Sequence, residues 1–344
     1  MFGKRIRYYR LKKGLTSEEL ANEIGCTKGA ISLYENDERT PNTEILQKLA
    51  DIFGIPLIQL MGRDDDLKFK HYGFRKKQST SKKDIELLIG DIEQKCADRI
   101  FVMDTLGLIG KDTFKAKRLS KDNGYDYNAL AIRRALNLSS IGPIYSITRT
   151  LEDIGIIVLS FDCPDEIDGL NGVVNDIPYI FFNSKDRTIE RQRFTLVHEL
   201  CHLFFAHDEE DKELERYINH LAGTVLISDI DLYREFGMLN HHITAYLRDS
   251  VAKKYKIAPS CLVVRLFEAG IITETYYRNY FKMLNSTVGK KKEPSFLDDI
   301  HDSELPSIFE HQVYLALSDD LITASRAAEL LAVPLYEVMQ NARM

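Results

Sequence analysis

From Ile6 to Met61, apolar residues recur three and four apart in short runs broken by Gly, Pro and small polar residues, a pattern that predicts five short helices. Thr16 or Ser17 is placed to cap a helix whose Leu20, Ala21 and Ile24 face inward. Gly25 then turns the chain, Thr27 caps the next helix, and Ile31 and Tyr34 form its buried side. Two helices joined in this way make a helix-turn-helix. A charge-switching polar stretch between about 63 and 83 contains Asp64-Asp-Asp and Arg75-Lys-Lys-Gln-Ser-Thr-Ser-Lys-Lys and reads as a solvated linker. Helical periodicity returns over Asp84 to Leu106 and Tyr127 to Leu136. Two β-type apolar runs, Ile156-Ile-Val-Leu-Ser and Pro178-Tyr-Ile-Phe-Phe, follow and are joined through Gly169 and Gly172.

The next helix is apolar nearly all round, with Phe194, Leu196, Val197, Leu200, Leu203, Phe204 and Phe205, yet it carries His198, Glu199 and His202. Side chains four apart share a helix face, so the two imidazoles can converge on one cation. Glu199, one residue on, would stand beside the metal and take a proton from water, which is the chemistry of a zinc-dependent peptidase. Polar groups buried in such a helix are costly unless something satisfies them. The metzincin pattern would need Gly and His seven and ten residues after His198, where this chain has Phe205 and Asp208, so that class is excluded. A glutamate on a following helix is the other common third ligand. Glu215 fits, with Asn219 four residues later to support a ligand, beside the stripe Ile218, Leu221, Ala222 and Val225; Glu213 is the fallback. Cys201 reads as a small buried thiol. His207, Tyr217, His220 and Arg265 are the candidates for stabilising an oxyanion.

On these residues the chain resembles the ImmA/IrrE metallopeptidases from about Asn128 to Ile272. The shared pattern includes Ile141-Gly-Pro-Ile, Leu151-Glu-Asp-Ile-Gly-Ile, Asp168-Gly, the lead-in Arg191-Gln-Arg-Phe-Thr-Leu, Glu215 to Asn219 and Arg265-Leu-Phe-Glu-Ala-Gly-Ile-Ile. The resemblance implies Zn2+ held by His198, His202 and Glu215, with Glu199 as catalytic acid/base and the substrate held as an added strand on a sheet edge. Cys201 departs from the family's usual glycine, and Tyr217-Ile218 from its usual Glu-Ala. The N-terminal sixty residues resemble the Xre, or lambda-repressor-like, DNA-binding family. That resemblance implies that Lys28, Gly29 and Ser32 face the major groove, that Ser17, Asn36 and Arg39 reach phosphates, that Thr27 belongs to the DNA-binding set, and that Arg10 pairs with Glu35.

The expected architecture is multidomain: an all-α helix-turn-helix domain (1–63), a polar linker (64–83), an α+β zincin-like metallopeptidase domain with a small β-sheet (84–285), and a hinge with a helical C-terminal segment (286–344). That last segment, from Pro306 to Met339, echoes the first helix-turn-helix: Ala328, Leu331 and Val333 fall where Ala21, Ile24 and Cys26 fall. Its second helix would present Pro334, Tyr336 and Glu337, poor phosphate partners, so it reads as a packing or protein-binding element.

Composition fits this plan. The chain has 344 residues, 44% of them hydrophobic, enough for two or three cored domains. A net charge of −6 excludes a wholly nucleic-acid-coating protein, and residues 1–63 are only mildly basic, with ten Lys/Arg against eight Asp/Glu. Short recognition side chains then imply modest affinity per site, helped by a homodimer. Five scattered Cys and no bilayer-length apolar run indicate a reducing cytoplasm and no membrane. The expected function is a DNA-binding regulatory zinc peptidase that acts at an operator on double-stranded DNA and cleaves a regulatory protein, a repressor, in a stress, mobile-element or phage-related response. The alternative is an Xre-family regulator whose peptidase-like domain senses a ligand or partner without proteolysis.

Overall fold

A computed structural model describes residues 2–61, 67–72, 80–110, 114–205, 212–238, 243–287, 295–297 and 302–342. The chain divides into two compact units. The first holds α1 (Phe2–Lys12), α2 (Ser17–Ile24), α3 (Lys28–Glu35), α4 (Thr43–Phe53) and the short α5 (Leu57–Met61), packed on Ile6, Leu20, Ile31, Leu49 and Leu60, all fully buried. Thr16, rather than Ser17, caps α2 through a capping box with Glu19, and Gly25 takes the left-handed conformation (φ 81°) that ends it. Thr27 accepts from the Ala30 amide at 3.2 Å and starts α3. The expected Arg10–Glu35 pair is present and bidentate at 2.5 and 2.9 Å, with Arg10 also donating to the Leu15 carbonyl.

The strand β1 (Phe69–Tyr72) and the helix α6 (Lys82–Thr105) follow. The portion of α6 up to Phe101 belongs to the first unit, whereas the sequence groups this helix with the peptidase region. Gly90 explains the packing: a Cβ there would lie 2.2 Å from the Tyr8 ring, so only glycine lets α6 meet α1. The Tyr8 hydroxyl and Lys12 both donate to Asp91, and Arg7 donates twice to Glu86. An amphipathic helix needs an apolar partner, and its periodicity does not say which one.

The second unit contains α7 (Tyr125–Ala135), α8 (Ile147–Asp153), β2 (Ile157–Phe161), β3 (Gly169–Val174), β4 (Ile177–Asn183), α9 (Ile189–His202) and α10 (Lys212–Leu226). Beyond them lie α11 (Asp229–Phe236), α12 (Ala245–Tyr255), α13 (Pro259–Glu268) and α14 (Glu274–Thr287). The sheet runs β1-β3-β4-β2, with β2 parallel and β3 antiparallel to β4, so it is mixed and four-stranded. The expected strands are β2 and β4. The stretch through Gly169 and Gly172, expected as their connection, is the strand β3 itself. It lacks β-branched alternation because α9 crosses too close: a Cβ at Gly169 would lie 2.6 Å from Thr195 Cγ2 and 3.0 Å from Glu199 Cγ. The other face of α9 and the apolar stripe of α10, Ile218, Leu221, Ala222 and Val225, share the main core with α7.

The helical C-terminus comprises α15 (Ile308–Ser318), α16 (Ala324–Leu331) and α17 (Leu335–Asn341). Here the internal echo is geometric. Thr323 caps α16 as Thr16 caps α2, Ala332 (φ 54°) occupies the left-handed position of Gly25, and Val333 donates to Ala328 as Cys26 donates to Ala21. The exposed side of α17 is apolar, with Leu335, Tyr336 and Met339. Among the described residues, no helix is long and apolar enough to cross a membrane.

Candidate metal centre

Helix α9 starts at Thr188, whose side chain accepts from the Arg191 amide, and its sequence places His198, Glu199 and His202 at the buried end that faces β3 and α10. The three are 1%, 2% and 5% exposed. Nε2 of His202 lies 3.0 Å from Nε2 of His198, and the Glu215 carboxylate of α10 closes the group at 3.0 Å from His202 and 3.7 Å from His198. All three ligand atoms lie within 4.8 Å of one another, the one such group of three found among the described residues. Two buried imidazoles and a partly exposed carboxylate bring three metal-type ligand atoms to one point. A cation satisfies all three at once. Tetrahedral ligation at about 2.0–2.1 Å calls for donors roughly 3.3 Å apart, so the site fits Zn2+.

Glu213, the alternative ligand, points elsewhere: its side chain is 84% exposed and pairs with Lys121 at 3.5 Å. Asn219 is exposed on α10 one turn beyond Glu215. Cys201 is fully buried, outside the ligand group, and burial pushes its thiol pKa well up, first by desolvation and then through Glu199. It packs as a hydrophobe.

Of the oxyanion candidates, Tyr217, His220 and Arg265 are committed to a structural cluster. The Tyr217 hydroxyl accepts from Asn128 at 2.7 Å, and Tyr125 stacks on both Tyr217 and His220. His220 pairs with Glu268 at 2.8 Å, while Arg265 binds Asp229 and Glu268 at 2.5 and 2.8 Å. Gly223 makes room for Arg265, since a Cβ there would lie 2.8 Å from its Cδ. His207 lies outside the described residues.

Asn171 is the polar neighbour that spacing rules did not find. It sits on β3, is fully buried, and donates Nδ2 to Glu199 Oε2 at 2.7 Å. An amide donor aimed at a carboxylate favours its ionised form and fixes its rotamer. Its only signal in the sequence is a polar residue inside a Gly-rich strand, which carries no spacing rule.

In the first unit, Thr27, Lys28, Gly29, Ser32, Asn36 and Arg39 are exposed on and after α3, and Ser17 is half-buried at the start of α2. Lys28 is loosely paired with Glu18 at 3.9 Å, and Arg39 lies over the Tyr34 ring at 5.8 Å. Thr27 uses its hydroxyl for the cap.

Family models match two stretches of the chain: one described as "Helix-turn-helix" over residues 6–60, and one described as "IrrE N-terminal-like domain" over residues 151–267. Curated relatives include the cryptic phage CTXphi transcriptional repressor RstR of Vibrio cholerae, 36% identical over 75 residues (20% of this chain, 68% of the relative). The HTH-type transcriptional regulator ImmR of Bacillus subtilis strain 168 is 35% identical over 63 residues (18% and 50%). The HTH-type transcriptional regulator SinR of Bacillus licheniformis is 30% identical over 70 residues (20% and 63%). The chain therefore spans 50% to 68% of the length of these three relatives, in matches the size of the helix-turn-helix head.

Proposed function

The chain belongs to the ImmA/IrrE family with an Xre-type helix-turn-helix head, and from that premise we propose that it is a DNA-binding regulatory zinc metallopeptidase that cleaves a regulatory protein, a repressor, in a stress, mobile-element or phage-related response. The observation that carries this reading is the convergence of His198, His202 and Glu215 beside a buried, amide-held Glu199. Zinc held by these three side chains supplies Lewis-acid polarisation of a carbonyl and acidifies water.

The chain's own residues supply the rest. Asn171 holds one oxygen of Glu199, so the carboxylate is oriented as a base. Glu199 takes the proton of the attacking water and returns it to the leaving amine. Burial of α9 keeps bulk water away from this transfer, which strengthens each charge interaction in the pocket. An extended protein segment joins the sheet by strand addition, presenting its backbone beside β3. The head binds double-stranded DNA as a homodimer through Lys28, Gly29, Ser32, Asn36 and Arg39, with Ser17 and Thr27 at the helix starts, and brings cleavage to the operator in the cytoplasm.

Comparing new protein N-termini in host cells expressing the wild-type chain or Glu199→Gln tests this. Both forms should keep the metal. Wild type alone should produce discrete new N-termini in a DNA-binding protein. Identical N-termini with full regulatory output from Glu199→Gln would instead establish a sensor without proteolysis.

A further inference from the structure

Strand β3 is the element that carries Gly169 and Asn171 to the catalytic glutamate, so its side away from β4 is where an extended substrate would pair. That edge is filled. One side of β3 pairs with β4, and the other neighbour is β1, a strand from the stretch of chain that follows the helix-turn-helix.

We infer that β1 is a stand-in for an incoming peptide: the outer edge of β3 is a strand-accepting site, and the chain's own Phe69–Tyr72 occupies it. The inference rests on the peptidase reading in assigning that edge to the substrate. Two features show that the edge is shaped for a crossing backbone. Gly172 has no side chain where one would collide, since a Cβ there would stand 2.4 Å from the Lys70 carbonyl oxygen and 2.3 Å from the Tyr179 hydroxyl. Tyr179, its register partner on β4, reaches across to β1, where its hydroxyl shares a 2.5 Å hydrogen bond with His71 Nδ1 and the two rings meet edge to face.

The occupant is a weak one. It is four residues long and no residue in it is fully buried, at the short end of strands that hold by themselves. A longer extended segment adds backbone hydrogen bonds that β1 does not make, and displaces it. The partner this edge fits is an extended peptide without Pro at its centre, bearing an imidazole or comparable polar ring opposite Tyr179. Peptide binding and β1 docking are mutually exclusive, so entry of the substrate frees the stretch that follows the DNA-binding head.

The test uses the full-length chain carrying Glu199→Gln, so that nothing is hydrolysed, and a fluorescein-labelled synthetic peptide with the sequence Leu67 to Tyr72. Its affinity is read by fluorescence polarisation. Adding His71→Ala to the protein loosens β1 and leaves the probe intact, so probe affinity should rise at least five-fold. A probe whose histidine is replaced by alanine should bind more weakly to both proteins, because it lacks the partner of the Tyr179 hydroxyl, while showing the same gain between them. Adding Gly172→Ala as well should abolish binding, provided circular dichroism shows that the variant is folded. A gain below five-fold, an alanine probe that binds as tightly as the histidine probe, or unchanged binding in a folded Gly172→Ala variant overturns the inference. Because no hydrolysis is involved, the peptidase reading and this one can fail separately.

Discussion

At the residue scale, Asn171 decides how Glu199 behaves. Replacing it with alanine removes an amide donor from a carboxylate that is 2% exposed, so the base loses its orientation while the three ligands stay in place. Partners of this kind are worth about 10–100-fold in activity. Asn171→Ala should therefore lose that much peptide hydrolysis while metal analysis finds unchanged zinc, and coupled loss of metal would assign Asn171 a different role. Asp168, beside Gly169, makes a second residue-scale prediction. Burial alone would raise its carboxyl, but the ion pairs with Arg191 and Arg187 at 2.7 and 2.9 Å outweigh it and hold the group below its ordinary value. A folded pKa below the unfolded one stabilises above the unfolded value, about 3.9, and that contribution is lost as pH falls through the folded value. The stability gap between wild type and Asp168→Asn, followed by urea unfolding from pH 7 down to pH 3, should be widest at neutral pH and close in acid. A gap that is constant with pH would refute the pairing.

At the scale of elements, α9 is anchored by residues far away in sequence. Arg193 is fully buried and ion-pairs with Glu304, whose carboxylate also accepts from Ser146 and from the Ile147 and Thr148 amides at the start of α8. Glu190, at the start of α9, accepts from Ser295 and the Phe296 amide. Ser295, Phe296 and Glu304, from the segment expected to act as a hinge, are thus tied to α9 and α8 within the second unit. Breaking a buried pair by removing one partner costs about 3–5 kcal/mol, so Glu304→Ala should lower the thermal midpoint markedly, and a midpoint within a degree of wild type would show the pair to be dispensable.

These elements also show what could be read in advance. The two histidines are legible because helical spacing is local, and the helix-turn-helix because its caps and apolar positions lie within twenty residues, whereas Glu215 stands on the next helix and spacing alone leaves it beside Glu213 as a candidate. Strand β3 is not legible, since its glycines answer to the approach of α9 rather than to any strand propensity. Arg193 stood out in the lead-in motif, but its partner lies 111 residues on and no periodicity connects them.

At the scale of the molecule, a helix-turn-helix head and an IrrE-like unit occupy one chain, each with its own core. The exposed face of α3 is short-chained and carries a single strong cation, Lys28. Lys28→Ala should weaken binding to DNA from the protein's own promoter and relax discrimination at the base it faces, whereas Arg39→Ala should reduce the slope of log affinity against log salt by about one, the signature of one lost phosphate contact. An unchanged slope would place the DNA-binding face elsewhere. Whether the second unit is a metal enzyme is settled most directly by the metal content of the purified full-length chain. About one zinc per chain is expected for wild type and for Glu199→Gln, and almost none for His202→Ala. Metal-free native protein, or the same zinc content in His202→Ala, would contradict the three-ligand centre on which the proposed activity depends.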